Sequence, residues 1–249
     1  MRWIAFTKRT AKEIILDPLT IAFGIGMPVA VLLLLSAINS GIPAGHGPDN
    51  FRIDQLTPGI NVFAMSFLTL MGGLLLSKDR GSSLLQRLFT TPLTAVDYII
   101  GYVLPLLPIA LLQSVVCYVF ALILGLEFTV NILWAILLSL LPALLFTALG
   151  LLLGTILNEK QVGGICGALI TNLTAWTSGA WFSVDLIGGA FKTVCQILPF
   201  YHAVEMLKAV LHGDFQGIFA EGHLWIVLAY TVVICVLSVI LFTSKMREK

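Results

Sequence analysis

Charge is what this sequence has least of. Only 11% of its 249 residues are Asp, Glu, Lys or Arg, against roughly 25% in a soluble domain. A surface wetted on all sides cannot be assembled from so few. No Gly-Lys dipeptide occurs, so a P-loop is excluded. HExxH and GxSxG are missing too, which leaves a zinc protease and a serine hydrolase without their central motifs. The four cysteines, Cys117, Cys166, Cys195 and Cys235, make no CxxC or Cys/His spacing, so neither a zinc site nor a disulfide framework is supported. Gly24-Ile25-Gly26 begins like a dinucleotide fingerprint but lacks the third glycine. The long apolar runs hold essentially no ionisable residue, the usual mark of an ion-coupled pump. Transport by this chain would draw its energy from elsewhere.

The apolar residues, 58% of the total, come in blocks. A helix crossing the hydrocarbon core of ~30 Å needs ~20 residues. Six spans of that kind are predicted at about 20–38, 58–77, 98–125, 129–157, 161–183 and 223–244. Backbone groups cannot stay unpaired in lipid, so these are expected to be helices. With both termini on the cytoplasmic side, 11 of the 14 Lys and Arg fall inside, and only Arg52, Lys192 and Lys208 fall outside. A cleavable signal peptide is not expected, because the first residues are amphipathic and charged through Asp17.

Residues 2–16 predict a helix lying in the membrane interface. Trp3, Ile4, Thr7, Ala11, Ile14 and Ile15 share one face, and Arg2, Lys8, Arg9, Lys12 and Glu13 the other. Asp17-Pro18 ends it. After the second span comes a charged island, Lys78 to Pro92. Leu84, Leu85, Leu88 and Phe89 fall on one face of a short helix there, and four large apolar side chains in a cytoplasmic loop call for a greasy partner. Thr94-Ala95-Val96-Asp97 resembles a capping box opening the third span. Pro105, Pro108 and Pro142 predict kinks in the third and fourth. The fifth span carries Gly163/Gly167 and Gly164/Ala168, two small-xxx-small pairs suited to close helix packing. Its outer half is polar, with Thr171, Asn172, Thr174, Thr177 and Ser178. These residues either hydrogen-bond between helices or line a path at a dimer seam. Residues 184–222 predict two short helices flanking Pro199, each too short to span, dipping into the outer leaflet as a re-entrant hairpin. His202, His212 and His223 are spread along it without metal-ligand spacing and are expected to anchor it at the interface.

Four motifs, taken in order, resemble the permease subunit of the type-2 ABC exporter family over nearly the whole chain. They are the helix ending at Arg9–Pro18; Lys78-Asp79-Arg80-Gly81 with Leu84, Leu88 and Pro92, followed by Tyr98-Ile99-Ile100-Gly101; Ser178-Gly179-Ala180-Trp181-Phe182; and Leu198-Pro199 through Ala203 to Leu207-Lys208. The chain differs from the family pattern in having Asp-Arg for Glu-Arg, Ser183 for a proline and Lys208 for an arginine.

The resemblance implies an all-α integral membrane protein, a single transmembrane domain over 1–249. It would comprise six transmembrane helices, an N-terminal connecting helix (1–17), a cytoplasmic coupling helix (79–90) and an outer re-entrant segment (184–222). It implies a second permease copy, identical or a paralogue, and two cytoplasmic ABC ATPase subunits that carry the ATP and Mg. This chain itself would bind no cofactor, catalyse no reaction and touch lipid but no nucleic acid. Asp79, Arg80, Gly81, Leu84, Leu85, Arg87 and Leu88 would meet the ATPase, and Gly163, Gly164, Gly167, Asn172, Thr174 and Thr177 would form the seam and path. A bacterial cell membrane is the expected location. The cargo would be a hydrophobic or amphipathic compound such as a drug, antibiotic or lipid; a cell-surface polysaccharide or lipid-linked glycan is the alternative. In another class, the chain would be an immunity or assembly protein that transports nothing.

Overall fold

The computed structural model describes residues 3–18, 22–42, 51–82 and 94–247. Helices make up the described fold, and no strand occurs among these residues. The first, α1 (Trp3–Leu16), is the predicted surface helix. Among the described residues five helices are long and apolar enough to cross a membrane: α2 (Ala22–Ser40), α3 (Ile53–Gly81), α4 (Ala95–Ile123), α5 (Asn131–Ile156) and α11 (His223–Arg247). Between α5 and α11 lie α6 (159–177), α7 (Val184–Ile187), α8 (Gly189–Ile197), α9 (Pro199–Leu211) and α10 (Phe215–Ala220).

The expected fifth span, α6, is helical throughout but is not among those five. Its Glu159-Lys160-Gln161 start and its threonines and Asn172 make it too polar by composition alone. The two short helices expected on either side of Pro199 are present: α8 and α9 meet there with a bend of 81°, and together they equal one further span in length and apolarity. Proline fits the first turn of α9, where no intrahelical donor is needed.

The axis of the fold is α3, most of which is buried. Its tightest partner is α5, and the reason is glycine. Gly150 and Gly154 on α5 lie one turn apart and touch the α3 backbone at Thr69 and Gly73; a Cβ on Gly154 would meet the Gly73 carbonyl oxygen at 2.7 Å, and one on Gly150 would collide with Thr69. This is small-xxx-small packing. Gly150-Leu-Leu-Leu-Gly154 is thus the motif that sets a helix pair, whereas nothing lies within 4 Å of a Cβ on Gly163 or Gly164.

Local signals mostly hold. Thr94 Oγ1 accepts from the Asp97 amide at 3.3 Å, and Asp97 Oδ2 accepts from the Thr94 amide at 2.9 Å, closing the capping box of α4. Asn158 and Gln161 form a second box at the head of α6. Helix α5 breaks at Ser139 between Leu138 and Leu140, just ahead of Pro142, whose ring is incompatible with the Leu138 carbonyl. Pro105 and Pro108 lie inside an unbroken α4. Among the described residues two helices contain a π turn, α2 at Ala22–Gly26 and α6 at Ile165–Ile170.

The buried stripe of α1 differs from the expected one. Phe6, Thr10 and Ile14 face the protein, while Ile4, Ile15 and Leu16 are exposed. Gly101 on α4 leaves space that the Phe6 ring fills, and that ring stands edge-on to Tyr98 and Tyr102 at centroid distances of 5.5 and 5.0 Å. The helix therefore has two apolar sides, one docked on α4 and one left for lipid.

Candidate functional site

Of the charged residues at the end of α3, Asp79 turns inward while Lys78 stays exposed. The Asp79 side chain is 4% exposed. Arg9 Nη1 and Nη2 donate to its two oxygens at 2.6 and 2.8 Å, and the Tyr102 hydroxyl donates at 2.7 Å. This is a forked arginine–carboxylate pair, the geometry that adds direction to charge. The hydrogen bond to Asp79 pushes the Arg9 guanidinium above its ordinary value. Glu13 pairs with Arg9 at 2.8 Å and with Lys78 at 3.5 Å, so two residues of α1 interleave with two of α3. Arg80 points the other way and donates to the Leu157 carbonyl at 2.9 Å, satisfying one of the orphan acceptors at the end of α5.

Asp79 and Arg80 were expected on a coupling surface. Both are engaged inside the chain and belong to the last turn of α3 with Gly81. Leu84, Leu85, Arg87 and Leu88, the rest of that expected surface, lie outside the described residues. Arg9 and Tyr102 complete the joint without a sequence signal of their own. Asp79 lies seventy positions from Arg9 and twenty-three from Tyr102, and no local spacing signals either contact.

Beside this joint a groove of about 690 Å³ opens between the end of α1, the start of α2, the C-terminal half of α3 and the head of α6. Leu16, Phe23, Phe67, Leu70, Met71 and Leu74 form its apolar wall, and Glu13, Asp17, Lys78 and Glu159 are its charged members. From it a column of rings climbs α3. Phe23 stacks on Phe67 at 6.3 Å, Phe67 meets Phe63 edge-on at 5.6 Å, and Phe63 meets Trp181 at 5.5 Å.

The six expected seam residues divide. Gly163, Gly164 and Asn172 face outward, Gly167 rests against Leu70, and Thr174 and Thr177 are buried within the chain. Thr177 and Asn172 bond back to their own helix, at the Leu173 and Ala168 carbonyls. Asn172 thus places an amide on an outward face that also carries Leu169 and Trp176.

At the far end of the molecule, His202 and His223 are not the interfacial anchors expected. They are buried, 6% and 9% exposed, with their Nδ1 atoms 2.7 Å apart. His212 is the exposed one and meets Gln55 at 3.0 Å. No group of three metal-capable side chains occurs among the described residues. All four cysteines are free.

Residues 1–212 match the family model of the ABC-2 type transporter. No curated protein matches the chain.

Proposed function

The chain belongs to the ABC-2 type transporter family and is a multi-pass membrane permease of an ABC transporter; from that premise we propose that it exports a hydrophobic or amphipathic compound, using force received from a separate ATPase. The observation that carries the proposal is the Arg9–Asp79–Tyr102 joint. It lies at the last turn of α3, just before residue 83, where the amphipathic segment with Leu84, Leu85, Arg87 and Leu88 begins. A push on that segment reaches α3 first. Through Asp79 it passes to α1 by Arg9 and to α4 by Tyr102, so the three helices respond together. The family implies an ATPase partner and a dimer; two ATPase subunits and a second permease copy make up the assembly we propose. Both termini and the joint lie on the cytoplasmic side of a cell membrane in this arrangement, as the Lys/Arg asymmetry favours.

The cargo class rests on the groove. Its size falls within the 300–1,000 Å³ usual for small-molecule sites, its wall is apolar, and its charged members lie at one end near the joint. An amphipathic molecule in the inner leaflet fits such a surface, tail against Phe23 and Met71, head toward Glu13 and Lys78. The ring column from Phe67 to Trp181 provides a stepwise apolar route along α3. Outward-facing Gly163, Gly164 and Asn172 give the second copy a close-packing surface and a polar contact.

The test is co-purification of the permease with its ATPase, followed by substrate-stimulated ATP hydrolysis in vesicles. Leu84→Asp is expected to abolish stimulation while leaving the spans folded. An unchanged stimulated rate, or a permease–ATPase complex that survives deletion of residues 83–90, defeats the proposal.

A further inference from the structure

The buried histidine pair answers a counting question. His202 Nε2 lies 2.7 Å from the Gln196 carbonyl, His223 Nε2 lies 2.9 Å from a Glu221 carboxylate oxygen, and the two Nδ1 atoms lie 2.7 Å apart. A carbonyl and a carboxylate only accept, so each outer bond needs an N–H from its ring. The central bond needs one more. Three N–H groups on four ring nitrogens are required. Two neutral imidazoles supply two, and two imidazoliums supply four. Only a pair carrying a single positive charge supplies three, and it does so whichever ring holds the charge. Glu221 balances that charge.

We propose that His202 and His223 form a one-proton latch that fastens the bent hairpin α8–α9 to the head of α11, and that a second proton releases it. The three bonds join three pieces of chain: Gln196 at the end of α8, His202 in the first half of α9, and Glu221 with His223 at the start of α11. Tyr201 adds ring contacts to His202 at 5.5 Å and to His223 at 6.2 Å. Tyr230 on α11 donates to the Ile197 carbonyl at 2.8 Å, a further bond between the end of α8 and α11. A fourth N–H aims two donors at each other across the central bond and sets two like charges side by side. An isolated histidine gains its proton near about pH 6.5, and the second proton of a touching pair is taken up below that. Loss of the shared proton at higher pH also breaks one bond, because either the carboxylate or the partner nitrogen then faces a lone pair. The latch therefore has a window of closure, open on both the acid and the alkaline side.

Among the described residues, the other charged groups around the pair are engaged elsewhere, and His202→Gln separates the pair's response from theirs. On α9, Glu205 is held by Lys208 at 2.9 Å. Helix α8 brings Lys192 and the buried Cys195, whose thiol burial pushes up. Asp214 caps α10 at the Gly217 amide, 2.8 Å away. At the start of α3, Asp54 lies with Arg52 and with His212, the third histidine of the region. The parts of α5 and α6 packed on α9, Asn131–Leu138 and Thr171–Thr177, contain no ionisable residue.

The latch stands whatever the cargo is. Its exposure to external acid rests on the orientation proposed above, whereas an experiment in detergent, with one pH on both faces, does not. Hydrogen exchange of the peptides covering 189–222 is measured on the full chain at about pH 7 and about pH 5.5 and corrected for the intrinsic rate; release raises corrected exchange there roughly tenfold, with α3 and α5 unchanged. His202→Gln keeps a donor for Gln196 but cannot take up a proton, and its exchange is expected to be equal at the two pH values. The imidazole ¹⁵N shifts of the wild-type chain give a check without substitution: near pH 7 the pair carries three protons. Equal corrected exchange at both pH values in the wild type, a full pH response in His202→Gln, or a pair with two protons near pH 7 each overturns the latch.

Discussion

Replacing Arg9 by alanine strands a carboxylate that water barely reaches. The Asp79 side chain is 4% exposed and holds Arg9 through bonds of 2.6 and 2.8 Å. Unit charges about 4 Å apart attract by about 4 kcal/mol at an effective dielectric of about 20. The Arg9 side chain is 38% exposed, and screening by water reduces that figure to about 2 kcal/mol. Undocked α1 should then become about 30-fold more populated, at 1.36 kcal/mol per tenfold. Hydrogen exchange of the peptide covering Trp3–Leu16 reads this population, and the α3–α5 core serves as the internal reference. Arg9→Ala is expected to speed exchange in α1 about 30-fold and leave the core as it was. Adding Asp79→Asn removes the stranded charge, so the double variant should protect α1 better than Arg9→Ala alone. Wild-type exchange in Arg9→Ala, or strictly additive losses across the double-mutant cycle, would refute the idea that this pair docks the helix.

Four further outcomes are expected. Tyr102→Phe deletes one donor to a charged acceptor and should cost about 2 kcal/mol, seen as a lower melting temperature in detergent. Gly150→Ala drives a Cβ into the Thr69 backbone and should destabilise by about 1–3 kcal/mol, while Gly163→Ala, with open space around it, should be neutral or stabilising in the single chain; equal melting temperatures for the two would contradict the packing. Gly101→Leu should expel the Phe6 ring and free α1 to exchange, without the salt bridge being touched. Arg80→Gln shortens the reach to the Leu157 carbonyl and should fray the end of α5, detectable as faster exchange over 153–157 and no change in α1.

Element type was legible wherever the signal was local. The apolar runs, the Thr94–Asp97 box and the Pro199 bend all depend on neighbours a few residues apart, and they appear where the pattern puts them. What failed to show in the sequence was contact across distance. The docking stripe of α1 overlaps the expected apolar face only at Ile14, because Phe6 and Thr10 look no more buried than Ile4 and Ile15 until α4 presents Gly101. Gly163/Gly167 and Gly150/Gly154 share the same four-residue spacing, and only the fold shows that the second pair meets a helix backbone. His202 and His223 lie twenty-one positions apart with no ligand spacing, and only the fold of α9 against α11 brings their rings together.

Where Gly150 and Gly154 meet Thr69 and Gly73, main chain rests on main chain with no flexible side chain between. Two rods in such contact have nothing to give: sliding one past the other would drive carbonyl into Cα. Helices α3 and α5 consequently travel as a single strut. Any alternation of the molecule between two shapes has to be absorbed at its flanks, and the flanks are α2 and α6, each of which already contains one overwide turn where a register can slip.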